Sequence, residues 1–303
     1  MKSKKRRIVI TGANGFIGSN LVRNALDHGW EVTALVHDAN DIISIKNPGL
    51  SIVKFDISDV MRHCDILENS DAVYHLAAFI PPDFADHMYA EKCFQKNTLG
   101  TLNLLEASLQ SKVKRFIYFS AGNAYYPSNR LMKETDSLYP SHRAPFYLSS
   151  KVTGELFSEY YRMNKNLPVS ILRISSPYGK GMPEASMVKM FINRVRDELP
   201  IELKDGGQYK ADLVYVDDVV QAALLLLEKN VDGIFNVGSG MVLSSLEIAK
   251  EVVKVLKPGF DLIKILPSTG KAVCRGFSGL DITKAKNILG YTPTKLKDGL
   301  TCF

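Results

Sequence analysis

Cysteine is scarce in this chain, and its four cysteines stand far apart: Cys64, Cys93, Cys274 and Cys302. None belongs to a CxxC pair, and no histidine stands beside them at metal-ligand spacing. A disulfide-stabilised secreted domain and a cysteine-based zinc site are therefore not indicated, and we expect no metal site. A reduced, cytoplasmic setting is the economical interpretation.

Long hydrophobic runs are missing as well. The longest, VVQAALLLL at 219–227, contains Gln221 and is far shorter than the roughly 20 apolar residues that span a bilayer. The basic first residues lead into only IVI before TGANG, so we expect no secretory signal. The composition, 46% hydrophobic and 23% charged, is that of an ordinary soluble protein, and we expect no membrane partner.

A surplus of positive charge exists, but most of it is local. The net charge of +6 includes five basic residues at the start of the chain: Lys2, Lys4, Lys5, Arg6 and Arg7. Without these five, 33 basic residues face 32 acidic ones, a net charge of +1. Because such a run before a first strand is usually solvated, we expect no nucleic-acid partner.

The first half of the chain alternates short apolar runs with segments of helical spacing. The apolar runs, rich in β-branched residues, lie at 6–11, 31–36, 51–56, 71–77, 114–120 and 167–175. Helical spacing follows at 18–29, at 98–110 and around Tyr147. Strands separated by helices of about 10–15 residues predict a parallel sheet covered on both faces, which is a doubly wound α/β domain.

After about residue 175 the strands and helices are spaced less regularly, and prolines and glycines punctuate the loops. We expect residues 1–174 to form the α/β domain and residues 175–303 to form a smaller domain. Segments within 213–238 are expected to return to the first sheet as strands, near positions 214 and 234. Towards the end of the chain, DITKAKNILG predicts a short helix closed by Gly290.

A glycine-rich turn joins the first predicted strand to the first predicted helix. The segment VITGANGFIG places Gly12, Gly15 and Gly18 there, with Phe16 and Ile17 between the last two. Glycine permits the tight turn and lets backbone N–H groups approach a pyrophosphate, where the helix N-terminus adds partial positive charge. The strand–turn–helix context makes this a prediction of dinucleotide binding, with all five residues at the cofactor.

A tyrosine and a lysine stand four residues apart in YLSSK, on the helix predicted around Tyr147. Side chains at this spacing share one helix face, although an ordinary tyrosine beside a solvated lysine would look the same. Beside a nicotinamide the pair has a use, because an alcohol that loses hydride must also lose a proton. The ammonium of Lys151 would lower the pKa of Tyr147 from its usual value of about 10 and bind the nicotinamide ribose.

Several motifs occur in order along nearly the whole chain: GANGFIG at 12–18, HLAA at 75–78, YLSSK at 147–151, LRISSPYG at 172–179 and YVDDV at 215–219. With this GxxGxxG spacing, the chain resembles the extended short-chain dehydrogenases/reductases of the NAD-dependent epimerase/dehydratase family. The resemblance implies a Rossmann domain with a small substrate domain, a nicotinamide dinucleotide, and a nucleotide sugar as substrate. Members of this family are often homodimers.

The resemblance also implies cofactor contacts at matching positions: Asp56 and Ile57 at the adenine, Leu76, Ala77 and Ala78 along the dinucleotide, and Asn97 as a brace. The second strand ends in Val36-His37-Asp38, with a valine where an acid would hydrogen-bond the ribose of NAD. No arginine follows, and Asp38 could still reach the ribose beside His37. NAD is favoured slightly, and NADP stays open.

The clearest departure from the family lies on the fifth strand. The family's Ser or Thr, which hydrogen-bonds the substrate oxygen, falls on Ala121 in this chain. Ser120 is next to it, and because adjacent strand residues face opposite ways, it would need a bulge or register change to substitute. The acid pair of the 4,6-dehydratases falls on Gly122 and Asn123, which argues against dehydration by that mechanism.

Substrate contacts are expected at Asn123, at Ser176 (an asparagine in many epimerases), and at two basic residues, Lys210 and Arg275. The first functional hypothesis is a nucleotide-sugar epimerase, at C4, with Tyr147 as the proton-transferring residue. The second is a keto-sugar or other carbonyl reductase that uses NAD(P)H, because the same residues perform half of that cycle. A third hypothesis, motivated by Ala121, is a dinucleotide-binding sensor without catalysis.

Overall fold

A parallel sheet dominates the computed structural model, which describes residues 5–37, 45–62, 64–139, 144–267 and 276–303. The strands in chain order are β1 (Arg7–Thr11), β2 (Glu31–Val36), β3 (Leu50–Lys54), β4 (Ala72–His75), β5 (Phe116–Ala121), β6 (Val169–Ile174), β7 (Ser176–Tyr178), β8 (Ile201–Leu203), β9 (Lys210–Ala211), β10 (Leu213–Tyr215), β11 (Gly233–Val237), β12 (Leu243–Ser244) and β13 (Ile263–Ile265). Seven of them form one sheet in the order β11-β6-β5-β4-β1-β2-β3, with every pair parallel. The predicted doubly wound α/β fold is confirmed.

Helices flank this sheet. The α-helices are α1 (Phe16–Asp27), α2 (Ala90–Cys93), α3 (Gly100–Gln110), α4 (Pro145–Asn164), α5 (Met187–Arg196), α6 (Val216–Glu228), α7 (Ser245–Leu256), α8 (Thr283–Leu289) and α9 (Leu296–Leu300). None of the helices in the described ranges is long and apolar enough to cross a membrane.

The two faces of the sheet are both covered, which explains the nearly continuous apolar strands. In β1, Ile8 and Ile10 join a hydrophobic cluster that contains Leu21 of α1. Val9, between them, joins a second cluster that contains Leu104 of α3. Alternate residues of one strand therefore pack against helices on opposite sides of the sheet.

A π-helix (Phe94–Leu99) joins α2 to α3, so that a helical stretch begins at Ala90 rather than at residue 98 as the periodicity predicted. The wider π turn shifts the phase of the apolar face. For that reason the helical spacing of apolar residues at 98–110 does not continue back through residues 90–97. Short helix α8 is confirmed, with Gly290 in the left-handed conformation (φ 70°) at its end.

Only one of the two strands expected to return to the main sheet does so. β11 pairs with β6 as predicted, whereas β10 pairs with β7 in a separate two-stranded sheet, so the expected return near 214 is wrong. The reason lies at the end of β11. The N–H of Ser175 still donates to the carbonyl of Val237, the last residue of β11, at 3.0 Å, whereas the N–H of Ser176 donates to the carbonyl of Asp212 at 3.0 Å, so β7, which follows β6, has β10 as its neighbour.

A third hydrophobic cluster is formed by residues between Tyr178 and Leu300, and its buried members lie outside the seven strands of the main sheet. It includes Ile192 of α5, Ile248 of α7 and Leu300 of α9, and Phe16 at the start of α1 packs against it. This contact brings the glycine turn next to the C-terminal part of the chain.

Candidate active site

A cavity of about 770 Å³ runs along the carboxyl ends of β1, β2, β4, β5 and β6. Most of the residues expected at a cofactor or substrate line it: Gly12, Gly15, Phe16, Ile17, Gly18, His37, Asp56, Ile57, Leu76, Ala77, Ala78, Ser120, Asn123, Tyr147 and Lys151. Ligand sites in open α/β sheets lie in the crevice beyond the carboxyl ends of the strands. The fold therefore brings these residues to the place where such a site is expected.

The glycine turn forms one wall of the cavity, and two of its glycines leave no room for a side chain. Gly12 has φ 65°, and a Cβ atom there would lie 2.7 Å from the backbone nitrogen of Ala77. A Cβ atom at Gly18 would overlap the carbonyl oxygen of Gly12. Gly15, the N-cap residue of α1, donates its N–H to that same oxygen at 3.0 Å. The chain thus turns tightly enough to aim the N-terminus of α1 into the cavity.

Asp56 lies at one end of the cavity and is already paired. Lys96 donates to both of its carboxylate oxygens at 2.7 and 2.8 Å, and the N–H of Ser58 donates at 2.9 Å. The hydrogen bond from Lys96 is the main reason that the pKa of Asp56 falls to about 2. Lys96 was not anticipated from the sequence, because the π-helix that presents it disrupts the helical pattern.

Asn97 lies behind the cavity wall rather than in it. Its side-chain oxygen accepts from the N–H of Phe79 at 2.6 Å, and its nitrogen donates to the carbonyl of Phe79 and to Ser150 Oγ, both at 3.0 Å. Ser150 Oγ donates in turn to the carbonyl of Tyr147 at 2.7 Å. Asn97 therefore ties the segment after β4 to the first turns of α4, in keeping with the expected brace.

The side chain of His75, on β4, is hydrogen-bonded to one residue of β1 and one residue of α3. Its ring nitrogens lie 2.8 Å from Thr11 Oγ1 and 2.9 Å from Thr101 Oγ1. Thr101 donates its own hydrogen to the carbonyl of Asn97, so the Nε2 nitrogen of His75 carries a hydrogen and Nδ1 accepts from Thr11. Burial holds the pKa of His75 well below its ordinary value, which agrees with a neutral ring in this chain of hydrogen bonds.

Tyr147 and Lys151 lie on one face of α4, as predicted, and both face the cavity. The Tyr147 ring meets Phe84 edge-on at 5.6 Å between centroids, and the Lys151 ammonium lies 4.4 Å from the centroid of the Tyr118 ring. Burial raises the pKa of Tyr147 to about 12 and lowers the pKa of Lys151 to about 7. The expected lowering of the Tyr147 pKa is therefore wrong for this geometry, because burial dominates and the ammonium lies over another ring.

Ser120 and Ala121 both line the cavity, although they are neighbours on β5. The strand contains no bulge at this point, since β5 and β6 pair in continuous register from Phe116 to Ala121. The cavity covers the end of the strand rather than one face of it, so alternation does not exclude either residue. The Ser120 hydroxyl is buried, and within the described ranges it has no hydrogen-bond partner.

Two further serines share this feature and were missed by the sequence analysis. Of six buried side-chain polar atoms without a partner in the described ranges, three are the hydroxyls of Ser120, Ser175 and Ser186, and all three residues line the cavity. A buried hydroxyl without a partner is costly, so its presence in a cavity wall indicates that a ligand or water completes it. The position of Ser175, directly after β6 at the carboxyl edge of the sheet, was the available signal.

Two further candidates, Ser176 and Lys210, do not line the cavity. Ser176 pairs with Leu213 at the start of β7, and Lys210 is an exposed residue of β9 whose backbone pairs with β12. Asp38 and Arg275 lie outside the described residues. In the described part of the chain, no three His, Cys, Asp or Glu side chains come together in a way that could hold a metal ion.

The family model of the NAD-dependent epimerase/dehydratase family matches residues 8–238. This chain belongs to that family. A dTDP-glucose 4,6-dehydratase of Streptomyces niveus is 28% identical over 312 residues, which cover 97% of this chain and 90% of the relative. UDP-glucuronic acid decarboxylase 1 of Arabidopsis thaliana is 29% identical over 310 residues, which cover 98% of this chain and 68% of the relative.

Solved structures of the family superpose on nearly the whole chain. The UDP-glucose 4-epimerase of Thermotoga maritima, solved with UDP-glucose, has a TM-score of 0.84 at 29% identity and covers 98% of this chain and 96% of its own. The UDP-glucuronic acid 4-epimerase of Bacillus cereus, solved with UDP-glucuronic acid and NAD, has a TM-score of 0.84 at 27% identity, with 98% and 97% covered. The chain is thus an NAD-dependent enzyme of the extended short-chain dehydrogenase/reductase type.

The cavity of this family member fits a dinucleotide on its own geometry. The closely packed glycines leave backbone and the α1 N-terminus facing the cavity, and the unpartnered Ser120 hydroxyl offers a hydrogen bond near Tyr147 and Lys151. The relatives named above catalyse dehydration, decarboxylation or epimerisation. Relatives with each of these three activities are about equally identical to this chain, so its reaction has to be inferred from the side chains in the cavity.

Proposed function

We propose that this chain is an NAD(P)-dependent nucleotide-sugar epimerase that acts at C4. The observation that carries the proposal is which acidic side chains line the cavity and where they lie. Among the described residues that line it, the one carboxylate is Asp56, which is paired with Lys96. Asp56 follows the edge strand β3, whereas Tyr147 lies on α4, which packs on β5. Inversion at C4 needs one group to take and return a proton, whereas dehydration needs further acid and base groups beside the sugar.

In this proposal the glycine turn and the N-terminus of α1 bind the pyrophosphate of the dinucleotide, and Asp56 and Ile57 lie at its adenine. The bound nicotinamide supplies the acceptor and donor of hydride. In its phenolate form, Tyr147 takes the proton of the C4 hydroxyl as hydride leaves C4, and the resulting phenol gives the proton back when hydride returns to the opposite face of the turned keto sugar. Lys151 provides positive charge beside Tyr147, and Ser120 hydrogen-bonds the reacting oxygen.

The proposal extends to architecture and location. The division at residue 174 into a dinucleotide-binding and a substrate-binding domain is part of it, as are cytoplasmic location and a homodimer. Support for the homodimer comes from Leu156, Tyr160 and Met163, which form an exposed apolar stripe along α4. Sedimentation equilibrium tests it: the chain should dimerise, and Leu156→Glu should weaken the dimer.

A reductase that uses NAD(P)H is the second candidate, because Tyr147 and Lys151 serve it equally well. Retention of the cofactor separates the two, since an epimerase needs its dinucleotide through both halves of the cycle. Mass spectrometry of small molecules released from the purified protein should find a nicotinamide dinucleotide. Protein that releases none and consumes added NADH or NADPH with a 4-keto sugar would instead be the reductase.

A further inference from the structure

A buried ion pair lies one helical turn from Lys151 and outside the cavity wall. The Arg173 side chain is 6% exposed and that of Glu155 is 4% exposed. Arg173 donates to Glu155 from Nε at 3.0 and 3.2 Å and from Nη2 at 2.7 Å. Neither residue is among those that line the cavity, so the pair lies behind the cavity wall.

Lys151 itself has no direct ionic partner in the described part of the chain. Its ammonium faces the Tyr118 ring, and the residue is 3% exposed. Glu155 follows it by four residues on α4, which places both side chains on the same buried face. Burial lowers the pKa of Lys151 to about 7, and the carboxylate of Glu155 acts in the opposite direction. Near neutral pH, the charge on Lys151 is therefore sensitive to this one anion.

Arg173 fixes the carboxylate in place. Besides Glu155, its Nη1 donates to Tyr125 Oη at 2.8 Å and to the carbonyl of Glu134 at 3.0 Å. Tyr125 Oη donates in turn to Asn236 Oδ1 at 2.7 Å, which anchors the guanidinium to β11. Held on several sides, Arg173 fixes the position of the Glu155 carboxylate and offsets part of its negative charge.

The other titratable groups around the pair do not compete with Glu155 for this role. Burial keeps His75 of β4 neutral, and it raises the pKa values of Tyr118 of β5, Tyr125 and Tyr147. The carboxylate of Glu134 accepts from the N–H of Asn236 on the far side of Arg173. Among the described residues, Glu155 is the anion that acts on Lys151.

We propose that Glu155, held and partly neutralised by Arg173, is a positioning residue that keeps Lys151 charged. The pair acts on the site only through Lys151. The effect of the pair on catalysis rests on the proposed function, whereas its effect on the charge of Lys151 does not. Opposite consequences follow from removing either partner. Loss of the carboxylate leaves an uncompensated guanidinium near the ammonium, whereas loss of the guanidinium leaves an uncompensated carboxylate.

The test is the titration of Lys151, followed through the 13Cε resonance of labelled lysine and assigned with Lys151→Arg. Glu155→Gln should lower the pKa of Lys151 by about one unit, and Arg173→Gln should raise it by a smaller amount, because Glu155 is the group that acts on Lys151 directly. Glu159→Gln is the matched control, because Glu159 pairs with Arg162 on the same helix at 2.8 Å but is half-buried and more than one turn from Lys151. It should leave the titration unchanged.

Shifts in the same direction for both single variants, or shifts no larger than that of the control, would overturn the proposal. Because breaking a buried pair is strongly destabilising, Glu155→Gln/Arg173→Gln provides a second route. This double variant should give a Lys151 pKa below that of the parent protein, since burial is then unopposed, and a value equal to the parent would also overturn the proposal.

Turnover assays separate this inference from the proposed function. Shifts of opposite sign in a protein that converts no nucleotide sugar would support the electrostatic inference and reject the epimerase. An active epimerase in which Lys151 titrates identically in every variant would support the proposed function and reject the electrostatic inference.

Discussion

The polar groups at the two ends of the cavity differ in whether they have hydrogen-bond partners within the protein. At the Asp56 end, the carboxylate is satisfied by Lys96 and Ser58 before any ligand arrives. At the Tyr147 end, the Ser120 and Ser175 hydroxyls have no partner in the described ranges, and the Lys151 ammonium faces only a ring. The polar groups at one end are thus already paired within the protein, whereas the other end keeps its hydrogen-bonding and proton-transferring groups free for a substrate.

The largest effect should follow from removing the phenol at the open end. Tyr147→Phe keeps the ring against Phe84 but removes the proton-transferring group, which typically costs about 10²–10⁴-fold in kcat. NAD affinity, measured by calorimetry, should stay within about twofold of the parent value because the cradle around Gly12 is untouched. Tyr160→Phe, on the exposed side of α4, is the control and should keep full turnover. Undiminished turnover in Tyr147→Phe would remove this tyrosine from the mechanism.

A second prediction concerns the glycine turn between the two ends. In Gly18→Ala the new Cβ atom meets the carbonyl oxygen of Gly12, so α1 has to move away from the turn. We expect NAD affinity to fall by at least about tenfold and the free energy of unfolding to fall by about 1–3 kcal/mol. Gly29→Ala, where nothing lies within 4 Å, should cost only the strain of its positive φ, about 1 kcal/mol, and leave NAD affinity unchanged.

The unpartnered serines allow a finer comparison. Ser175→Ala removes a hydroxyl that we expect a ligand to complete, so NAD or nucleotide-sugar affinity should fall by roughly threefold to tenfold. Ser158→Ala removes an equally buried, unpartnered hydroxyl on α4 that lies outside the cavity wall, and it should leave both affinities as they are. Equal affinities for the two variants, by calorimetry, would mean that Ser175 serves no ligand.

The smallest effect is expected at the prepaired end. The pKa of Asp56 is depressed in the folded state, so its ion pair stabilises the protein above pH 4 and this contribution is lost as the pH falls towards 2. Because the carboxylate is 36% exposed, we expect Asp56→Asn to lower the free energy of unfolding at pH 7 by less than about 1 kcal/mol. Urea denaturation at stepwise lower pH should show the difference between the two proteins shrinking. A difference that grows on acidification would contradict this account of Asp56.

Sequence patterns predicted the parts of this molecule that depend on local rules. The glycine turn, the shared face of Tyr147 and Lys151, and the parallel sheet follow from conformational freedom, helical spacing and strand composition. The resemblance to a family added Asp56 and Asn97, which spacing alone would not have indicated.

What escaped prediction depends on three-dimensional surroundings. The π-helix that presents Lys96 does not follow a periodicity of 3.6, and the change of partner after β6 depends on hydrogen bonds from Ser175 and Ser176 to segments far along the chain. The direction of the Tyr147 pKa was missed because burial, a property of the folded chain, outweighs a charge one turn away. The Ser175 hydroxyl became informative only once its lack of a partner was visible.

The most direct test of a reaction in which Tyr147 moves the proton and no carboxylate assists at the sugar is a reaction in heavy water. The protein, with NAD, is incubated with UDP-glucose, UDP-glucuronic acid and dTDP-glucose in turn, and the products are analysed by mass spectrometry and NMR. The account predicts, for one of them, an isomer inverted at C4 that has the mass of the starting sugar and no deuterium on carbon. A product lighter by water or carbon dioxide, or one that carries deuterium at C5, would contradict it.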